Sequence, residues 1–212
     1  MTLLKWTGVV AVLGVAGGLT TIYAAFGAFL PWREDAEAER LASILGVTSG
    51  QRIAEIGAGP GRLTVALARK VGPAGHVFST ELDPARREEI AARAVSADLS
   101  NVTVVEGLPA STNLPDACCD AIVMRAVYHH IQDPESFAAN VARALRPNGL
   151  VAIIDFAPGT LWLHGGASGG PRRPGHGVSR EDAIAELRSA GFVVRQQYAE
   201  WSRPLWLVVF SR

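Results

Sequence analysis

Three clusters of residues have the types and spacing to do chemistry. The first reads Ile53-Ala-Glu55-Ile-Gly57-Ala58-Gly59-Pro-Gly61-Arg62. Apolar residues run into glycines, which permit a tight turn and let backbone approach a bound ligand closely. A dinucleotide fingerprint would put its third glycine at position 62, where Arg62 stands. The pattern instead sets a carboxylate, Glu55, ahead of the turn, which suits a cationic amine better than a pyrophosphate. The second cluster is Thr80-Glu81-Leu82-Asp83-Pro84, with Glu81 lying 20 residues past Gly61. An acidic side chain at the end of a second strand is placed to accept both hydroxyls of a ribose. The third is Arg125-Ala-Val-Tyr128-His129-His130. Histidine serves as a base near neutral pH. His129 is the better candidate to face a site, with Tyr128 beside it and His130 orienting it or capping the next helix. Packing and capping roles are the competing reading for all three.

These clusters need elements to hold them. Strands are predicted at Arg52–Ile56, His76–Glu81, Val102–Glu106, Ala121–Met124, Leu150–Phe156, Phe192–Tyr198 and Leu205–Phe210. Helices are predicted at 33–46, Arg62–Val71, Pro84–Ala97, Pro134–Leu145 and Arg180–Ala190. Strand–helix alternation with right-handed crossovers makes an α/β fold. It is a Rossmann-like, seven-stranded, mostly parallel sheet with helices on both faces. The short connection before Leu205 makes the last strand antiparallel. In such open sheets ligands bind beyond the carboxyl ends of the strands, where all three clusters fall. The Gly- and Pro-rich stretch Pro158–Val178, with His164 and His176, is long enough to be a functional loop. Cys118 and Cys119 are adjacent, a poor metal site and a poor crosslink, and read as ordinary thiols. No metal site is expected.

Composition divides the chain in two. The whole carries 20 Lys+Arg and 20 Asp+Glu in 212 residues. Positions 6–32 form an uncharged run of 27 residues with Trp6 and Trp32 at its ends. A helix of that length reaches roughly 40 Å and spans a ~30 Å hydrocarbon core, with the terminal aromatics at the interfaces. Residues 1–32 are therefore read as a single-pass transmembrane anchor, with a cleaved signal peptide and export as the alternative. Residues 33–212 form one globular domain of net charge −1. That balance argues against a nucleic-acid partner. The oligomeric state is left open.

From Arg33 to Arg212 the chain resembles the class I S-adenosylmethionine-dependent methyltransferases of the bacterial small-molecule type. Glu55-Ile-Gly57-Ala58-Gly59-Pro-Gly61 is similar to their first motif, and Thr80-Glu81-Leu82-Asp83-Pro84 to the acidic end of their second strand. Leu145-Arg-Pro-Asn148-Gly149-Leu resembles their turn into strand five, and Gly177-Val-Ser with Gly191-Phe192 their late helix and turn. The resemblance implies S-adenosyl-L-methionine as cofactor, its methionine end held by Glu55 and the backbone of Gly57, Ala58, Gly59 and Gly61. It implies that Glu81 binds the ribose, with Leu82, Gly107, Leu108 and Arg125 completing the cofactor set. The family's aspartate after strand three is replaced by Leu108, so apolar contact and backbone must hold adenine.

The implied chemistry is displacement at a sulfonium methyl, for which alignment and exclusion of water matter most. A hydroxyl acceptor would add the need for a base. No Asp/Asn-Pro-Pro-Tyr/Phe motif follows strand four, which disfavours methylation of nucleic-acid bases. The acceptor is expected to be a small molecule or a lipid-like compound, the latter reached from the membrane, with the domain on the cytoplasmic side, where the cofactor is. A non-catalytic cofactor-binding or regulatory module is the alternative, motivated by Leu108. An NAD-dependent oxidoreductase is disfavoured by Arg62.

Overall fold

The computed structural model describes residues 35–159 and 177–212. The span expected over 6–32, and most of the Pro158–Val178 loop with His164 and His176, lie outside the described residues. No helix among the described residues is long and apolar enough to cross a membrane.

Helix α1 covers residues 35–45. Then follow β1 (Arg52–Ile56), α2 (Arg62–Val71), β2 (His76–Glu81), α3 (Pro84–Ser96), β3 (Val102–Glu106), β4 (Cys119–Arg125), α4 (Pro134–Ala144), β5 (Leu145–Phe156), α5 (Arg180–Ser189), β6 (Val193–Ser202) and β7 (Leu205–Ser211). A single 3-10 turn, Tyr128–His130, follows β4. The seven strands lie in the order β3-β2-β1-β4-β5-β7-β6. β1 to β5 pair in parallel, and β7 runs antiparallel to both β5 and β6. The expected Rossmann-like sheet is therefore present. Strand order reverses between β1 and β4, and the crevice beyond their carboxyl ends is where such sheets take ligands.

Side chains alternate between the two faces of each strand. Ala54, Ile56, Ile122, Met124, Val151 and Ile153 pack on one face with Phe137 and Val141 of α4 and Leu187 of α5. Ile53, Ala121, Val123, Ala152 and Ile154 pack on the other with Leu41 and Leu45 of α1 and Leu63 and Leu67 of α2. Helix α3 lies against α2, β2 and β3. The same alternation turns Glu55, between Ala54 and Ile56, toward the face that α2 covers. Caps fix where helices begin: Asp83 accepts from the Ala85 N–H, Asp133 from Ser136 and Ser179 from Asp182, and α3 and α4 each open with proline.

Three features differ from expectation. β5 begins at Leu145 rather than Leu150, because Leu145 pairs with Cys119 across an irregularity in register and Asn148 takes φ 65° within the strand. β6 runs on to Ser202, an edge strand whose polar residues hide its pairing with β7. Cys118 and Cys119 are not ordinary thiols but a disulfide between neighbours, with Cα atoms 3.7 Å apart. Ala117, at φ 45°, turns the chain just ahead of them.

Candidate functional site

The turn after β1 is built by glycine. Gly57, Gly59 and Gly61 all have positive φ, and a Cβ on Gly57 would collide with the side chain of Val127. A Cβ on Gly61 would come within 2.8 Å of Ile90 on α3. Gly59, in contrast, faces open space. The Gly57 and Ala58 N–H groups donate to the Thr80 carbonyl at 2.9 and 3.0 Å, which sews the loop to the end of β2.

Two hollows meet at Gly57. One, of about 270 Å³, is lined by Glu55, Gly57 to Pro60, Arg62, Leu63, Arg125 and Ala126. The other, of about 230 Å³, includes Glu81, Leu82, Gly107, Leu108, Val127, His130, Ile131 and Gln132 in its wall. The first is charged and the second mainly apolar. Leu82 and Leu108 are among the few large apolar side chains exposed among the described residues, and both stand in this second wall.

Glu55 sits at the floor of the charged hollow, 3% exposed, and accepts from Thr64 Oγ1 at 2.5 Å. Burial pushes its carboxyl up from the ordinary 4.5 to about 7, against the Thr64 hydrogen bond and the Arg125 charge, which favour ionisation. A buried acid of this kind is ready to ionise when a cation arrives. Arg125 ends β4 at the rim, and its Nε donates to Glu37 Oε2 of α1 at 2.8 Å.

Glu81 stands between the hollows. It accepts from the N–H groups of Gly59 at 2.7 Å, Leu82 at 2.8 Å and Asp83 at 3.2 Å. A carboxylate offers about four lone-pair positions, so one is left for a hydroxyl. Accepting both hydroxyls of a ribose requires the Gly59 link to give way. Gly107 and Leu108 close the apolar hollow after β3, joined to Glu81 through the Gly107 N–H at 3.0 Å from its carbonyl.

The residues after β4 fall otherwise than expected. Successive side chains in a 3-10 turn point about 120° apart, so three consecutive residues face three directions. Tyr128 goes into the core, 1% exposed, and its hydroxyl donates to Glu186 of α5 at 2.8 Å. His129 turns to β5: its Nδ1 lies 2.8 Å from Asp155 Oδ1, and its N–H donates to Asp155 Oδ2 at 3.0 Å. His129 is 2% exposed and lines neither hollow. His130, given the orienting role in the sequence, is the histidine in the apolar wall. The structure thus brings together Glu55, Gly57, Ala58, Gly59, Glu81, Leu82, Gly107, Leu108 and Arg125, with Gly61 shaping the turn. It sets Tyr128 and His129 behind them.

Two residues of the site escaped the sequence. Glu37 lay among the acidic residues Glu34, Asp35, Glu37 and Glu39, which read as charges crowding a helix start to complement its dipole. Gln132 sits in the apolar wall with its side-chain oxygen buried and without a partner among the described residues. The absence of an acidic residue at 108 was the signal that another acceptor had to be sought.

Comparison with known proteins agrees with this geometry. Residues 54–153 match the family model described as a methyltransferase domain. The chain is 30% identical over 185 residues to the 27-O-demethylrifamycin SV methyltransferase of Amycolatopsis mediterranei, covering 82% of this chain and 66% of that protein. It is 26% identical to the ubiquinone/menaquinone biosynthesis C-methyltransferase UbiE of Erwinia tasmaniensis over 53% of this chain and 45% of the relative. The chain thus spans between about half and two thirds of these relatives' length. A solved SAM-dependent methyltransferase from Aquifex aeolicus shares the fold with a TM-score of 0.70 at 22% identity, over 82% of this chain and 88% of that one. The [4+2]-cyclase SpnF shares it with a TM-score of 0.63 at 20% identity, over 77% and 58% of the two chains.

Proposed function

Because the chain carries a class I S-adenosylmethionine-dependent methyltransferase domain, we propose that it transfers a methyl group from S-adenosyl-L-methionine to a small, apolar acceptor. The observation that carries this reading is the junction of a charged and an apolar hollow at the glycine turn, with Glu81 between them. The cofactor has the same order of parts: a zwitterionic amino acid, a ribose and a purine. Glu55 takes the ammonium, Glu81 the ribose, and Leu82 and Leu108 the purine faces. Gln132 supplies the acceptor for the purine amino group that an aspartate at 108 would otherwise give. When bound, the cofactor supplies an electrophilic methyl; the protein aligns the acceptor and excludes water.

His130 is the residue placed to contact an acceptor or cofactor from the β4 side, and His129, held by Asp155, positions that turn. The acceptors named for the relatives, a rifamycin and quinones, support a small apolar substrate here. The uncharged run at 6–32 supports tethering of the domain to a membrane, beside lipophilic acceptors, and the need for S-adenosylmethionine supports the cytoplasmic side. Flotation of the full-length chain with lipid vesicles tests the tether; recovery in the unbound fraction would refute it.

The decisive assay is calorimetry with S-adenosylmethionine, followed by measurement of S-adenosylhomocysteine release with a panel of quinols and phenols. No binding at millimolar cofactor would refute the reading. Binding without turnover across the panel would favour the second reading, a cofactor-binding module without methyl transfer. The occurrence of a cyclase on this fold gives that reading its force.

A further inference from the structure

Helix α1 does more than cover the sheet. Glu37, whose side chain is 11% exposed, uses one oxygen for each of two distant partners. Its Oε2 accepts from Arg125 Nε at 2.8 Å, and its Oε1 from Trp201 Nε1 on β6 at 2.8 Å. Arg40, three residues further along α1, donates to the Trp201 carbonyl at 2.8 Å and lays its guanidinium 3.9 Å from the centre of the Trp201 ring. The indole is thus fixed from both sides, and through Glu37 it fixes Arg125.

The consequence falls on the charged hollow. Arg125 is 37% exposed at its rim. With Nε tied to Glu37, the guanidinium plane is set, and its two Nη groups have no acceptor among the described residues. Guanidinium presents its donors as a flat fork that matches a carboxylate. Glu55 lies across the same hollow, near enough for the Arg125 charge to favour its ionisation. An acid on one side and a fixed fork on the other are complementary to an α-amino acid, ammonium toward Glu55 and carboxylate toward Arg125.

We propose that Glu37 is a positioning residue for the cofactor's amino-acid end, acting through Arg125 with Trp201 as its brace. This rests on the cofactor reading above and adds a device absent from it: α1 reads whether the methionine carboxylate is present. Because coupling free energies are reciprocal, a bound carboxylate holds α1 on the sheet as firmly as α1 holds Arg125.

The test compares S-adenosylhomocysteine, which has the carboxylate, with 5′-methylthioadenosine, which lacks the amino-acid end. Affinities of the full-length chain are measured by calorimetry for the wild type and for Glu37→Gln, Arg125→Gln, Arg62→Gln and Trp201→Phe. Glu37→Gln and Arg125→Gln should weaken S-adenosylhomocysteine roughly ten-fold or more, the scale of a lost charge-assisted hydrogen bond. Both should leave 5′-methylthioadenosine within about two-fold. Trp201→Phe keeps the aromatic packing but removes the donor to Glu37, and should show the same split at smaller size. Equal weakening of both ligands would make Glu37 merely structural and overturn the proposal. So would a split confined to Arg62→Gln, the other arginine in the hollow. Wild-type protein that binds neither ligand overturns the cofactor reading itself. Wild-type binding of both without any split overturns only the role of Glu37.

Discussion

The burial of Glu55 has a cost that pH can switch. Its carboxyl is raised from the ordinary 4.5 to about 7 by desolvation. Each pKa unit corresponds to ~1.4 kcal/mol, so the displacement amounts to about 3 kcal/mol. The sign follows from proton binding. Below the unfolded value both states hold the proton and nothing is lost. Between about 4.5 and 7 the folded state binds more protons than the unfolded one, so stability falls as pH rises. Above about 7 the loss is complete. Glu55→Gln keeps an oxygen for Thr64 and removes the charge. It should be close to neutral near pH 4 and stabilise the ligand-free protein by about 3 kcal/mol at pH 8. Urea unfolding of both proteins, followed by tryptophan fluorescence across this range, measures the difference. A difference that stays constant with pH, or a wild type that gains on the variant as pH rises, refutes the burial argument. S-adenosylmethionine should reverse the ranking at pH 8, since its ammonium favours the ionised carboxylate that only the wild type has.

Three further outcomes are expected. Glu81→Ala should weaken S-adenosylhomocysteine by roughly 1.5–3 kcal/mol in calorimetry, the scale of a lost hydrogen bond to a charged group; unchanged affinity would place the ribose elsewhere. Gly57→Ala sets a Cβ into Val127 at positive φ and should lower the unfolding free energy by about 1–3 kcal/mol while abolishing cofactor binding. An unperturbed melting curve would refute the tight turn. Tyr128→Phe removes the hydroxyl that donates to Glu186 and should lower stability by about 1 kcal/mol with turnover retained; a ten-fold or greater fall in kcat at unchanged stability would restore a catalytic role to Tyr128.

Much of the sheet was legible in the chain. β1, β2, β3 and α2 begin and end where their apolar runs and glycines put them: β1 and β2 are short buried strands, β3 is a half-exposed edge strand rich in valine, and α2 is an amphipathic helix between Gly61 and Gly72. The edge strand β6 was cut short at Tyr198, since the exposed Ala199 and Glu200 that follow carry no alternation. The residues that line the charged hollow were legible where one motif holds them, as with Glu55 and Gly57. Glu37 was not, because its meaning depends on Arg125 and Trp201, 88 and 164 residues away. Which of Tyr128, His129 and His130 faces the hollow was not legible for a local reason: a 3-10 turn distributes three neighbours over three sides, and residue type alone does not say which side is which.

The place of β7 bears on how the protein must be made. β5 pairs with β4 on one side and with β7 on the other. Until residues 205–211 leave the ribosome, the far edge of β5, with Val151 to Phe156 fully buried in the finished fold, has nothing to pair with. An unpaired apolar strand edge invites pairing with other chains. The nascent protein therefore carries an aggregation hazard between the emergence of β5 and that of β7, when strands β1 to β4 are already available to pair. Charged residues on β6, such as Arg195 and Glu200, shield the new edge once the last hairpin closes.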